Sequence, residues 1–198
     1  MNEQELLNSL RRIYENREAE LKGKFDRSLS FADALLDNRW TRARRLGFAE
    51  GVSIYDSALV YGDVRVGSQT WIGPAVILDG TGGGISIGSF CSIAAGVHIY
   101  THDTVLWAVG GGRSPRRKAS VMIGDCCHIG AQSIILPGVT MGSQCVVAAN
   151  STVNRPVPPQ TIVAGSPARA IGRVVGEGEN VRLVINDQFE ADKLDPSK

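Results

Sequence analysis

VMIGDCCHIGAQSIILPGVTMGSQCVVAANSTVNRP, residues 121–156, divides without remainder into six-residue units: VMIGDC, CHIGAQ, SIILPG, VTMGSQ, CVVAAN and STVNRP. The third residue of each unit is a large apolar side chain (Ile123, Ile129, Ile135, Met141, Val147 and Val153), and the first is small or apolar. An alternation of small, variable and aliphatic suits a short strand whose first and third side chains point inward. The other three positions are rich in Gly, Asp, Asn, Ser and Pro, which suit a turn. Three strands and three turns make one coil of about eighteen residues, stacked on the next at roughly the usual strand spacing of 4.8 Å.

The same period runs upstream of this stretch. From residue 52 the chain reads VSIYDS, ALVYGD, VRVGSQ, TWIGPA and VILDGT. A three-residue insertion within DGTGGG follows, then ISIGSF, CSIAAG and VHIYTH. Fourteen units share one template, so each is a fraction of a structure that its neighbours complete. The expected fold class is an all-β solenoid, a parallel β-helix over residues 51–173. An N-terminal helical segment (1–50) precedes it, and a C-terminal strand and tail (174–198) follow.

In the N-terminal segment, Leu6, Leu7, Leu10, Ile13 and Tyr14 form one helical stripe over residues 3–21. A second helix is expected over 31–45, with Ser30 and Asp33 as a capping box, Gly47 as the stop and Trp40 on the buried face. These helices either cover the open lower coil or reach a neighbouring subunit. Beyond residue 173, VRLVIN suits a strand, and EADKLDPSK reads as a tail.

The composition narrows the function. A formal net charge of +1 over 198 residues offers no case for nucleic acid or an anionic membrane as partner. The opening MNEQELLNSLRR has acidic and amide side chains where a secretory signal has a basic head, and no stretch approaches membrane-spanning length. The expectation is a cytoplasmic protein without stable membrane insertion. Cys91, Cys127 and Cys145 fall on the first slot of the repeat, as small packing residues of a reducing compartment. Nothing in the cysteine spacing suggests a metal site.

The repeat is broken most deeply between VHIYTH and VMIGDC, by a loop over residues 103–120. An excess of that length in a tight coil calls for a function. Three histidines are available. His98 and His128 each precede a core aliphatic residue and so lie on outer strand faces, as exposed or interface packing. His102 sits at the root of the loop, either as a corner residue bonded to a carbonyl or as a catalytic group. Trp107 and the glycines at 110–112 follow it. The tryptophan suits either a sugar face or a neighbouring surface. Arg113, Arg116, Arg117 and Lys118 read first as a solvated charged loop.

The context SIAAGVHIYTHD resembles the hexapeptide-repeat acyltransferases, closest to sugar O-acetyltransferases of the maltose and galactoside type and to surface-polysaccharide acetyltransferases. The resemblance covers roughly residues 52–173 and implies a left-handed winding of the β-helix. It also implies that the loop-root histidine, here His102, is the general base. Asp79 in LDGTGG falls where related enzymes place a carboxylate near the acceptor, and a turn aspartate with local hydrogen bonds is the alternative. Asp103 and Trp107 complete the expected acceptor side.

The run from IGDCCHIG to GSPARAIGR resembles the family's acetyl-CoA end. Ala131 and Ala149 map onto the small corner residues beside the pantetheine arm. Asn154 and Arg155 fall on the family's Thr-Lys pair, Pro167 shapes the chain, and Arg169 meets a CoA phosphate. Arg173 stands one residue beyond a further basic position. The family's Trp-Ile-Gly is here His128-Ile129-Gly130.

Acyl transfer from a thioester needs a base, an electrophile held in line and donors for the oxyanion. With no Ser-His-Asp or Cys-His arrangement evident, the resemblance implies direct transfer of acetyl from acetyl-CoA to a carbohydrate hydroxyl, in a homotrimer with active sites between subunits. Other readings are N-acetylation of a nucleotide-linked amino sugar, acetylation of a xenobiotic, a γ-type carbonic anhydrase and a non-enzymatic scaffold.

Overall fold

The computed structural model describes residues 2–35 and 38–185. Its body is built from parallel strand pairs in three columns, each entered once per coil. The first column stacks Ser53–Ile54, Trp71–Ile72, Ser92–Ile93, His128–Ile129, Val146–Val147 and Thr161–Ala164. In the second, Leu59, Ile77, His98, Ile134 and Thr152 lie one above another. The third pairs Val64, Ile85 and Val121 in turn, then Ile123 with Met141 and Met141 with Val157.

The register reproduces the hexads. Ser53 pairs with Trp71 and His128 with Val146, which is one coil of eighteen residues. The step lengthens where Asp79 pairs with Tyr100, after the insertion in DGTGGG, and doubles where His98 pairs with Ile134. The coil therefore resumes in phase after the loop.

Third-position side chains fill the interior. Ile54, Ile72, Leu78, Ile93, Ile99, Ile129 and Ile135 are fully buried in one continuous core, while Val60 near the lower end is half-buried. First-position side chains line the inner corners and bond to the chain. Thr70, Cys91, Cys127 and Cys145 form such a stack: their side chains donate to the carbonyls of Gly88, Gly124, Gly142 and Pro158. Satisfying a buried carbonyl this way avoids the cost of an unpaired acceptor. All four cysteines are free thiols, and hydrogen bonds with Cys145 and Cys91, together with burial, push the Cys127 thiol up.

Corners are turned in the left-handed backbone region. Gln69, Gln132, Gln144, Asn150 and Gln160 all have φ of 57–58°. Asn adopts this region more readily than most residues, whereas Gln carries the usual steric cost, and the stacked coils enforce it.

Helix α1 spans Glu3–Phe25, with a capping box between Asn2 and Glu5. The expected second helix is two short ones, α2 (Phe31–Leu35) and α3 (Arg39–Arg45), because Asn38 caps a new start through its side chain to the Thr41 amide. Ser30 Oγ accepts from the Asp33 amide and donates to one oxygen of the Asp33 carboxylate, whose other oxygen accepts from the Asp56 amide. Gly47, at φ 74°, follows α3 as anticipated. Trp40 departs from expectation. It is 48% exposed, bordering the cleft among the three helices with the Arg39 guanidinium 4.9 Å from its ring, while small Ala43 takes the buried position.

Helix α3 covers the lowest coil. Arg42 donates to the carbonyls of Tyr55 and Ala58 and faces Asp56 at 3.5 Å. The apolar stripe of α1 is not covered: Leu6, Leu7, Leu10 and Ile13 are exposed. At the other end, Arg169–Val175 and Arg182–Ile185 extend the first column antiparallel. The tail EADKLDPSK lies outside the described residues. None of the described helices is long and apolar enough to cross a membrane.

Candidate functional site

The chain leaves the second column after Asp79 in one coil and after Tyr100 in the next. Both exits are irregular, and they are stacked: the three-residue insertion lies directly against the root of the long loop. Contact is close enough to require glycine, since a Cβ on Gly82 would come 2.2 Å from the Thr101 carbonyl oxygen and 2.7 Å from the His102 Cβ. Buried Thr101 locks the two together. Its hydroxyl donates to the Asp79 carbonyl at 2.7 Å and accepts from the Gly82 amide at 2.8 Å, and its carbonyl accepts from Ala119.

His102 then starts a two-residue ladder: His102 pairs with Lys118 and Asp103 with Arg117. The loop is thus a hairpin stem that begins at His102 and carries a short helix, α4 (Val105–Val109). The His102 side chain is 26% exposed, and its Nδ1 lies 3.3 Å from Thr81 Oγ1 and 3.8 Å from Asp79 Oδ1. Asp79 is more enclosed, at 16%. Its Oδ1 accepts from the Thr81 hydroxyl at 2.6 Å and from the Thr81 amide at 3.1 Å. Asp79 therefore makes the local hydrogen bonds of a turn aspartate and also sits beside the histidine. Burial, and then the Asp79 carboxylate, raise the pKa of Tyr100, whose hydroxyl is 3.2 Å from His98 Nδ1.

The loop's other candidates are tied to the loop itself. Asp103 accepts from the Val105 amide and faces Arg117 at 4.0 Å. Arg117 also donates to the Pro137 carbonyl in the coil above. Trp107 on α4 is 43% exposed, with the Arg116 guanidinium 5.9 Å from its ring. Val105, Leu106 and Val109 beside it are exposed too.

The residues expected on the cofactor side are divided between the edges of the second column and the last strand. Ala131 and Ala149 stack one coil apart, at the entry edge of the second column: the Asn150 amide donates to the Ala131 carbonyl, and the Gln132 amide to Ala95 below. His102 follows the exit edge of that column. Exposed Asn154 and Arg155 follow Val153, at the exit edge near the top. Pro167 lies in the segment between Ala164 and Arg169, whose Ala168 amide bonds Thr152, and exposed Arg169 and Arg173 lie on the last long strand. One chain therefore assembles Asp79, Thr81, His102 and Asp103 at one edge and keeps Ala131 and Ala149 at the other.

His128 is exposed in the first column between Ser92 and Val146, and His98 is in the second between Ile77 and Ile134. Among the described residues, no three His, Cys, Asp or Glu side chains converge as a metal site. A cavity of about 1050 Å³ lies among α1, α2 and α3, lined by Ile13, Arg17, Trp40 and Arg44, and His102 does not line it.

Thr81 and Thr101 are the groups that sequence reasoning passes over. The available signal is a hydroxyl two residues after the aspartate in DGT, a spacing that favours a side-chain turn.

A profile described as bacterial transferase hexapeptide (six repeats) matches residues 120–155. A hexapeptide-repeat acetyltransferase from Vibrio cholerae superposes with a TM-score of 0.63 at 29% identity, over 84% of this chain and 91% of that one. Its structure with acetyl coenzyme A gives 0.57 at 30% identity, over 82% and 87%. The chain belongs to the hexapeptide-repeat acetyltransferase family. Within it, the serine acetyltransferase of Mycobacterium tuberculosis is 32% identical over 137 residues, 68% of this chain and 55% of that protein. A tetrahydropyridine-dicarboxylate N-acetyltransferase of Clostridium perfringens is 38% identical over 79 residues, 40% of this chain and 34% of its own length. The chain thus spans about half or less of the curated relatives it matches.

Proposed function

We propose that this chain transfers an acetyl group from acetyl-CoA to a carbohydrate hydroxyl by direct attack, with His102 as general base. The observation that carries this reading is the placement of His102: it stands at the root of the loop, with one ring nitrogen turned inward on Thr81 and Asp79 and the ring still partly open to solvent. An imidazole titrates near neutrality, so it can take a proton and return it within one turnover. The acceptor oxygen attacks the acetyl carbonyl as its proton passes to His102. The C–S bond then breaks, and the thiolate takes that proton back. The V. cholerae relative bound to acetyl coenzyme A supports the donor.

The fold is read as the left-handed β-helix of the family, working in the cytoplasm as a homotrimer. Separation of the two edges supports the trimer, because a neighbouring copy can lay its Ala131–Ala149 edge against His102 and so form a groove for the pantetheine arm. Asn154, Arg155, Pro167, Arg169 and Arg173 belong to the same cofactor path, and the exposed guanidiniums suit the CoA phosphates. Asp79, Asp103 and Trp107 border the acceptor side. The small-residue edge fits an arm held by backbone groups: a Cβ on Gly130 would come 2.5 Å from the Ala149 amide nitrogen, so no bulk stands between successive coils there. The acceptor class points to surface-polysaccharide biosynthesis.

A second reading, transfer to an amine, is favoured by the likeness to the C. perfringens N-acetyltransferase. Thiol release from acetyl-CoA, measured against a panel of sugar hydroxyls, amino sugars and amino acids, tests both. Turnover with hydroxyl sugars alone supports the first reading, and turnover with amines alone replaces it.

A further inference from the structure

The donors and acceptors at the interrupted corner can be assigned in only one order. The Asp79 carboxylate is an acceptor, and 2.6 Å from it lies the Thr81 hydroxyl oxygen. A proton must lie between two oxygens so close, and only Thr81 has one to give. The hydroxyl hydrogen is therefore committed to Asp79, and its direction is held by the Thr81 amide, which donates to the same carboxylate oxygen. What the Thr81 oxygen still offers is a lone pair, and the polar group facing it at 3.3 Å is His102 Nδ1. A lone pair on each atom would repel, so Nδ1 carries the hydrogen. Were Thr81 to donate to Nδ1 instead, two oxygens 2.6 Å apart would face each other with nothing between them.

We propose that Thr81 is a positioning residue that holds His102 in its Nδ1–H form, linking the ring to Asp79 and leaving the lone pair of Nε2 for the acceptor's proton. This rests on the reading of His102 as the base. As Nε2 takes up a proton the ring becomes cationic, and Asp79 Oδ1 is already 3.8 Å from Nδ1 in a partly enclosed corner. The carboxylate and the polarised hydroxyl thus stabilise the charge that appears during transfer more than the neutral starting ring, which is the condition for acceleration. Glycine at position 82 and the buried Thr101 hydroxyl keep the two chain segments in register, so the order survives without a direct His–Asp hydrogen bond.

The test is nitrogen-15 NMR of the histidine rings in the folded protein, at a pH where His102 is neutral, with its signals identified by their loss in His102→Gln. The expected pattern is a protonated Nδ1 and a bare Nε2 in the wild type and in Thr81→Ser. In Thr81→Val, which keeps the shape without the hydroxyl, the pattern should change to a mixed or Nε2–H form. In the same variants kcat should fall by about ten- to a hundredfold for valine, with KM little changed, and should be largely restored by serine. A wild-type ring protonated on Nε2 overturns the proposal, as does a Thr81→Val ring still wholly Nδ1–H; the first result does not depend on the Thr81→Val variant folding. Acetyl transfer that survives unchanged in His102→Gln would instead overturn the base itself while leaving the tautomer result in place.

Discussion

The two edges of the second column are built on opposite principles. At the entry edge each coil repeats the one below: Ala95, Ala131 and Ala149 recur in register, and the same backbone hydrogen bond recurs between them. At the exit edge the register is abandoned twice running, first by three residues and then by a whole coil's length. The repeated edge offers a uniform strip of small side chains, suited to a long, chemically plain arm. The irregular edge brings together Asp79, Thr81 and His102: Thr81 and His102 are the sixth residues of VILDGT and VHIYTH, stacked one coil apart, and Asp79 stands two residues before Thr81. On the proposed reading, regularity makes the cofactor's track and irregularity makes the reactive centre.

The harshest way to break the comparison is to restore regularity. Excising residues 102–119 removes one coil's length and leaves the later units in phase. The trimmed protein should still unfold cooperatively in urea but release no thiol from acetyl-CoA. A trimmed protein that fails to fold would show that the loop is part of the scaffold.

Next in size is damage to the scaffold alone. Ile129 is fully buried between Ile93 and Val147, so Ile129→Ala should cost about 2–5 kcal/mol in urea unfolding, by lost transfer energy and the cavity left behind. Its effect on turnover should follow stability and vanish at low temperature. Gly82→Ala separates the edges more finely. The added methyl must displace the Thr101 carbonyl or the His102 backbone, at about 1–3 kcal/mol of overpacking. The displacement should lower kcat more than it raises KM for acetyl-CoA. The smallest effect belongs to the repeated edge. Ala149→Leu puts bulk on the strip, and KM for acetyl-CoA should rise by about tenfold, or roughly 1.4 kcal/mol, with kcat nearly unchanged. The opposite pattern would move the cofactor track elsewhere.

The columns, their inward positions and the resumption of phase after the loop are all legible in the hexads themselves. A period of six with one large apolar residue leaves little choice of which side chains turn inward, and counting alone assigns His98 and His128 to different columns. The helices are less legible. The stripe Leu6, Leu7, Leu10 and Ile13 declares a helix with an apolar face, but periodicity does not say what covers that face, and among the described residues nothing does. Trp40 reads as a core residue because it is large and aromatic. The tight approach of α3 to the first coil admits Ala43 instead, and the cleft takes the tryptophan.

At the site, His102 is marked by its position at the end of the repeat. Thr81 is passed over because along the chain it is one more turn residue; the hexads VILDGT and VHIYTH place it in the same sixth slot as His102, 21 residues on, but slot position alone does not reveal the hydrogen bond to Asp79 that gives it a role.

The central claim is that the imidazole at the irregular edge removes the acceptor's proton. It is tested most directly by comparing single-turnover acetyl transfer in the wild type and His102→Ala at saturating acetyl-CoA, with acetyl-CoA affinity measured separately. The account predicts a rate lower by about 10²- to 10⁴-fold with affinity retained. A variant that binds acetyl-CoA normally and transfers at the wild-type rate would contradict it.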